Sequence, residues 1–135
     1  MTVDLIQEAL TKRIIGSFYE VYNTLGYGFL EKVYENALCA EFEDLGLPYA
    51  QQVPIKVQYR GRAVGEYFAD IVVDGVVIVE VKAVQTVLPQ HEAQLLNYLK
   101  ATGIEVGLVL NFGPRARVVR KVRQDFSKRI GSESS

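Results

Sequence analysis

Phe68-Ala69-Asp70-Ile71-Val72-Val73-Asp74-Gly75-Val76-Val77-Ile78-Val79-Glu80-Val81-Lys82 is a β-branched run cut once by Asp-Gly and interrupted by three other charged residues. Asp-Gly between two such runs is a strong hairpin signal, so Ala63–Val73 and Val76–Val84 read as antiparallel strands. Both runs are apolar at nearly every position, which predicts a sheet covered on both faces. Asp70, Glu80 and Lys82 do not belong in that setting. Burying an unpaired charge costs several kcal/mol, against a stability of about 5–15 kcal/mol for a whole domain. Each is therefore paired, exposed at a strand end, or bound to an ion. Glu80 and Lys82 stand at i and i+2 and share a face, so an ion pair on the sheet rim satisfies both with little difficulty.

The length of the Asp-Gly loop decides whether the three charges can meet. A two-residue Asp74-Gly75 loop pairs Val73 with Val76 and turns Asp70 away from Glu80 and Lys82. A three-residue loop, Val73-Asp74-Gly75, pairs Val72 with Val76 and sets Asp70 opposite Ile78, on the face of Glu80 and Lys82. One site needs the second arrangement. It predicts an odd residue in the hairpin, with Gly75 at positive φ or a bulge near Asp70.

Upstream, Asp4 with Gln7 resembles a capping box, and Leu5 to Leu25 recur at helical spacing until Gly26. A second helix reads from Leu30 to Leu45, with Gly46 as its stop and Pro48 beyond. Val53, Ile55, Val57 and Tyr59 alternate with polar residues and predict a half-buried strand ending in the turn Arg60-Gly61-Arg62. Downstream, Pro89 to Ala101 is a helix opened by proline in its first turn. Ile104 to Asn111 is a strand, Phe112-Gly113-Pro114 a turn, and Arg117 to Val122 a strand with basic side chains exposed. A helix joining two strands of one sheet implies a parallel pair, and the three strands before it form an antiparallel meander. The expectation is one α/β domain over residues 1–130, a mixed sheet flanked by helices, with a frayed tail at 131–135.

Composition agrees. The chain has 135 residues, 49% apolar and 23% charged, as in ordinary globular domains, which excludes disorder and fibrous repeats. No stretch approaches the roughly 18 apolar residues of a membrane span. The start lacks the pattern of a secretory signal, and one cysteine, Cys39, cannot form an internal disulfide, so a cytoplasmic protein is expected. Residues 1–114 carry a charge of -6, whereas residues 115–129 carry +6. That basic segment, with Arg115, Arg117, Arg120, Lys121 and Arg123, is either an edge that meets phosphate or a solvated strand balancing the acidic body.

Asp70 followed ten residues later by Glu80-Val81-Lys82 resembles the motif of the PD-(D/E)XK nuclease superfamily, an acid on one strand and Glu-x-Lys on its hairpin partner. Gly28-Phe29-Leu30-Glu31-Lys32-Val33-Tyr34 reads Gly-x-x-Glu-x-x-Tyr. With Gln94, Tyr98-Leu99-Lys100 and Gly107 to Gly113, the whole is similar to the GxxExxY protein family, a bacterial and archaeal branch of that superfamily. The resemblance covers nearly the full chain and implies a restriction-endonuclease-like fold. It further implies a metal-dependent nuclease, acting on DNA ahead of RNA. Phosphodiester hydrolysis needs a hard cation, and Mg²⁺ (or Mn²⁺) prefers carboxylate oxygen and water. Asp70, Glu80 and the Val81 carbonyl would hold it, with Glu31 adding a carboxylate directly or through water. Lys82 would hold the attacking water or stabilise charge on the phosphate. Gln94, Tyr98 and His91 share one helix face. Gln94 would contact the scissile phosphate or a metal-bound water, Tyr98 would brace it, and His91 is a weaker candidate; the competing reading is an ordinary amphipathic helix. Tyr34 reads as a packing residue with a tethered hydroxyl, and Cys39 as inert core.

Two other functions fit the same residues. One is a catalytically silent nucleic-acid-binding or protein-interaction module on the nuclease fold, and the other a metal-free domain whose charges form an ion-pair cluster. A binding module has no need of carboxylates facing phosphate, which favours the nuclease. So small a chain shows no second lobe to grip a duplex. It either dimerises, works beside a partner protein, or takes a short or single-stranded substrate.

Overall fold

The computed structural model describes residues 7–123. The proposed cap at Asp4 and the tail at 131–135 lie outside them. The element order is α1 (Glu8–Leu25), α2 (Glu31–Asp44), β1 (Tyr49–Tyr59), β2 (Arg62–Val73), β3 (Val77–Lys82), α3 (Pro89–Thr102), β4 (Val106–Phe112) and β5 (Ala116–Val122). The strands form one five-stranded sheet in the order β1-β2-β3-β4-β5. The pairs β1–β2, β2–β3 and β4–β5 are antiparallel, and β3–β4, joined through α3, is parallel. The meander and the crossover stand as expected, in an α/β fold of the restriction-endonuclease type.

Two apolar layers cover the sheet. Ile14, Phe18 and Val21 of α1 and Tyr34, Leu38 and Phe42 of α2 pack on Ile71, Val73, Val77, Val79 and Leu108. Leu95, Tyr98 and Leu99 of α3 pack on Val72, Ile78 and Val109 from the opposite side. α3 can approach β4 closely because Gly107 has no side chain; a Cβ there would lie 2.6 Å from Leu95 Cδ1. The Arg13 guanidinium donates to Leu45 O at 3.1 Å and so satisfies a carbonyl at the C-terminus of α2.

β3 and β4 are buried on both faces, as their composition requires. The first half of β2 is not. Val64, Tyr67 and Phe68 are exposed, because β1 and β2 run past the rest of the sheet as a two-stranded ribbon and only Ile71 to Val73 pair with β3. β1 begins at Tyr49, earlier than its alternation suggested, and as an edge strand it carries Pro54 and the exposed Lys56.

The hairpin contains the odd residue. Val73 pairs with Val77, leaving Asp74-Gly75-Val76 as a three-residue connection. Asp74 and Gly75 both take positive φ (52° and 68°), and the Val76 N–H closes on Val73 O at 3.0 Å. The odd residue is thus Val76 rather than Val73. Asp tolerates the left-handed region, so the turn closes across Asp74-Gly75 and pairing resumes one residue later. Continued by one residue, this register puts Asp70 level with Glu80 instead of Ile78.

Candidate active site

At Asp70 the regular ladder between β2 and β3 gives way to side-chain bonds. The Asp70 N–H donates to Glu80 Oε2 at 2.8 Å, and the Val81 N–H donates to Asp70 Oδ2 at 2.8 Å. Each carboxylate therefore has one oxygen tethered by the other strand's backbone. The irregularity has a visible cause. Ala69 packs toward α3 whereas Ile71, two residues on, packs toward α1 and α2. Across from Asp70, Gln52 sits at φ 51°, and β1 makes the same change of face between Tyr49 and Val53. Both strands turn over at this level, which opens the sheet around the two acids.

Glu80 is 5% exposed and Asp70 half-buried. Burial and the charge of Asp70 push Glu80 well above its usual range. Burial likewise raises Asp70, aided by the Glu35 charge and opposed by the Val81 N–H. Lys82 follows on the same face of β3, and its ammonium pulls both carboxyls back toward ionisation. Beyond it, Asn111 fixes the chain. Its Oδ1 accepts the Val84 N–H at 3.0 Å and its Nδ2 donates to Val84 O at 2.9 Å. Gly113 leaves room for that clamp, since a Cβ there would lie 2.3 Å from Val84 O.

The carboxylate that α2 brings to the pair is not Glu31. Glu31 is exposed at the start of the helix, and no hydrogen bond or ion pair joins it to Asp70 or Glu80. One turn later Glu35 is 3% exposed and accepts from Gln51 Nε2 (2.8 Å), Gln52 Nε2 (3.2 Å) and Lys32 Nζ (3.1 Å). Gln52 Nε2 also reaches Asp70 Oδ1 at 3.4 Å, bridging the two acids. The sequence held a signal for Glu35. It sits on the stripe Leu38, Cys39, Phe42, at i+3, i+4 and i+7, where a charge is as anomalous as Asp70 is in its strand. Gln52 had no comparable signal, because its position depends on a left-handed backbone that nothing local requires.

The α3 candidates separate. Gln94 and Tyr98 line a groove between α3 and the β1–β2 ribbon. Tyr98 is buried, and its phenol is pushed up to about 12, first by burial and then by the charges of Glu80 and Asp70. His91 instead serves the helix end: its Nδ1 accepts the Leu88 N–H at 3.0 Å, and its backbone N–H donates to Leu88 O. Tyr34 is fully buried, stacks on Phe112 at 4.2 Å, donates to Gly26 O at 2.7 Å and accepts the Phe29 N–H. Cys39 is buried, and desolvation pushes its thiol up to about 12. The basic strand does not present one cationic face. Arg115 and Arg117 are exposed, but Arg120, Lys121 and Arg123 are half-buried, and Lys121 pairs with Glu92 of α3 at 2.7 Å. Alternation on β5 sends Arg117 and Lys121 to one side of the sheet and Arg120 to the other.

The family model for the PD-(D/E)XK nuclease superfamily matches residues 8–123. The chain belongs to that superfamily. This PD-(D/E)XK domain is also similar in fold to the crystal structure of SSO0001, with a TM-score of 0.56 at 16% identity, covering 98% of this chain and 68% of that one. No curated protein matches it closely. Nucleases of the PD-(D/E)XK superfamily act on nucleic acid and generally use divalent metals. The donor set here fits such an ion. Asp70 and Glu80 offer only hard oxygen ligands, and a cation would offset the burial and the like charges that raise both. Among the described residues no three His, Cys, Asp or Glu side chains converge tightly enough to cage an ion. Two carboxylates that leave the remaining positions to water suit a hard divalent cation that keeps several of its waters. No helix among the described residues is long and apolar enough to cross a membrane.

Proposed function

We propose that the protein is a metal-dependent phosphodiesterase of the GxxExxY branch, acting on DNA ahead of RNA. The supporting observation is the placement of Asp70 and Glu80 level with each other, each with one oxygen tethered and Lys82 on the same face. Asp70, Glu80 and the Val81 carbonyl would hold Mg²⁺ or Mn²⁺. The ion supplies Lewis-acid polarisation of the phosphate and a water of lowered pKa.

The chain's own residues do the rest. The Val81 and Asp70 N–H groups fix the carboxylates before any ion arrives, so little reorganisation accompanies loading. Lys82 sits beside both acids, where its ammonium orients the attacking water or offsets charge gathering on the phosphate. Glu35, through Gln52, holds Asp70 in position and adds negative charge to the site; it takes the part that Glu31 was expected to play. Gln94, on the groove wall, is placed to meet the phosphate chain. Tyr98, buried one turn away, would brace it.

Calorimetric titration of Mg²⁺ and Mn²⁺, with Glu80→Gln as control, tests the site. Incubation with single-stranded, duplex, flapped and branched DNA and RNA, against Lys82→Ala, tests the reaction. Cation binding lost in Glu80→Gln, with cleavage lost in Lys82→Ala, is the expected result. Equal Mn²⁺ affinity in wild type and Glu80→Gln, or cleavage unchanged by Lys82→Ala, would overturn the reading.

A further inference from the structure

The β1–β2 ribbon is anchored at its root and bare at its tip. Ile55 and Ala69 are buried in the layer that packs on α3, whereas every residue from Gln58 to Val64 is exposed. Because β2 runs antiparallel to β3, the ribbon overhangs the end of β3 at which Lys82 stands. Arg62 and Asp70 belong to one strand, eight residues apart, which is roughly 27 Å of extended chain. The tip is thus tied to the acid pair by β2 itself and by its ladder to β1. Arg60 and Gly61 both take positive φ (50° and 78°), so the strands are joined by the tight two-residue turn that matches their twist. Arg60 lies over the Tyr59 ring, 5.2 Å from its centroid, a contact that stiffens the side chain and uses the face of the guanidinium rather than its N–H donors. From Gln58 to Gly65 the chain carries Arg60 and Arg62 and no Asp or Glu. The next acid, Glu66, stands opposite Lys56, and those two charges offset each other.

From these features we infer that the ribbon is a duplex grip, whose tip enters the major groove of B-form DNA while the strand to be cut crosses Asp70 and Glu80. The inference rests on the nuclease reading above and adds the form of substrate. The B-form major groove, about 12 Å wide and 8.5 Å deep, admits a two-stranded ribbon. The major groove of an RNA duplex is too narrow for side chains to read, so shape selects DNA. Two arginines on a rigid turn suit the phosphates that border the groove. Gln58 and Val64, exposed just behind the turn, suit its floor: a carboxamide pairs with adenine, and an apolar side chain packs on the thymine methyl. A chain without a second lobe thus carries its own second hold on a duplex, set away from the acid pair.

The test uses fluorescence anisotropy on the full chain carrying Glu80→Gln, so that nothing is cut. The probes are a DNA duplex, an RNA duplex of the same sequence and single-stranded DNA. Arg60→Asn removes one charge and keeps a residue that suits the left-handed turn, and Arg62→Gln removes the other. Each should weaken binding of the DNA duplex about tenfold, the loss of one charge-assisted hydrogen bond. Each should also lower the slope of log affinity against log salt by about one. Affinity for the RNA duplex and for the single strand should stay at the parent value. Lys12→Gln is the control: Lys12 is exposed in the first turns of α1, whose start lies beside the Gly75 turn at the opposite end of the sheet, and its loss should change nothing. DNA-duplex affinity and salt slope at parent values in both arginine variants, or equal losses for all three probes, would overturn the grip. So would a dimer in the parent that falls apart in Arg62→Gln, since the tip would then belong to a contact with a second copy. Cation titration of the arginine variants on a wild-type Glu80 background keeps the two readings apart. Normal cation binding with an inert ribbon sinks only the grip, whereas absent cation binding sinks the nuclease reading.

Discussion

Glu80 is the residue whose titration shapes the behaviour of the metal-free protein. It keeps its proton in the fold up to about pH 8, whereas the ordinary carboxyl of an unfolded chain releases it near 4.5. Unfolding within that window therefore releases a proton, and stability falls as pH rises from about 4.5 to about 8. The loss is on the order of a few kcal/mol. Glu80→Gln should be the more stable protein at pH 8, and its urea midpoint should change less across the window than that of wild type in EDTA. A wild-type midpoint that rises with pH through this range would contradict the assignment. Residue-scale legibility was uneven. Asp70, Glu80 and Lys82 stood out because a charge in a β-branched run must be paired, exposed or bound to an ion, although an ion pair on the sheet rim could also have accounted for Glu80 and Lys82. Glu31 stands in the Gly-x-x-Glu-x-x-Tyr motif and is exposed, whereas Glu35 is buried and joined to Asp70 through Gln52, because burial follows the apolar stripe of α2.

At the scale of elements, the hairpin and the β4–β5 turn do the positioning. The odd loop could be deduced from the need to collect three charges on one face. Its exact residue could not, because Asp74 and Val73 compete for the turn and the left-handed φ of Asp74 settles it. The strands' change of face at Gln52 and Asp70 was hidden for a similar reason: it is a property of two strands together. The clamp of Asn111 on Val84 leads to a prediction. Gly113→Ala places a methyl 2.3 Å from Val84 O and 2.8 Å from Asn111 Nδ2, so backbone or clamp must move. The expected loss is about 1–3 kcal/mol by denaturant melt, as for overpacked sites generally. Cleavage should fall further than stability explains, because Val84 lies just beyond Lys82. Unchanged melts and rates would remove the clamp from the account. Tyr22 reinforces the same turn by donating to Gly113 O at 2.9 Å and Pro114 O at 3.0 Å.

For the whole molecule, the pattern of strands and helices was legible because each run carried its own period and punctuation. The overhanging ribbon was not, since a β-branched run looks the same whether one or both faces are covered. Nor was the distribution of positive charge. Seven basic residues in fifteen left open a continuous phosphate-contacting edge or a solvated strand; alternation on β5 sends Arg117 and Lys121 to one side and Arg120 to the other, and Glu92 pairs with Lys121. The salt dependence of nucleic-acid binding should reflect this. Arg115→Ala and Arg117→Ala should each flatten the slope by about one phosphate contact, and Lys121→Ala by distinctly less. Equal effects of all three would restore the continuous edge. The outermost strand has a consequence of another kind. β1 offers its free side to any chain that could extend the sheet, and such open rims are where soluble proteins begin to aggregate. Pro54 breaks the row of donors there and Lys56 charges it, so the rim is a poor template for a second molecule. Pro54→Thr would restore the missing donor on a β-compatible residue, and light scattering of concentrated samples should then grow with time while the monomer's melting point barely moves.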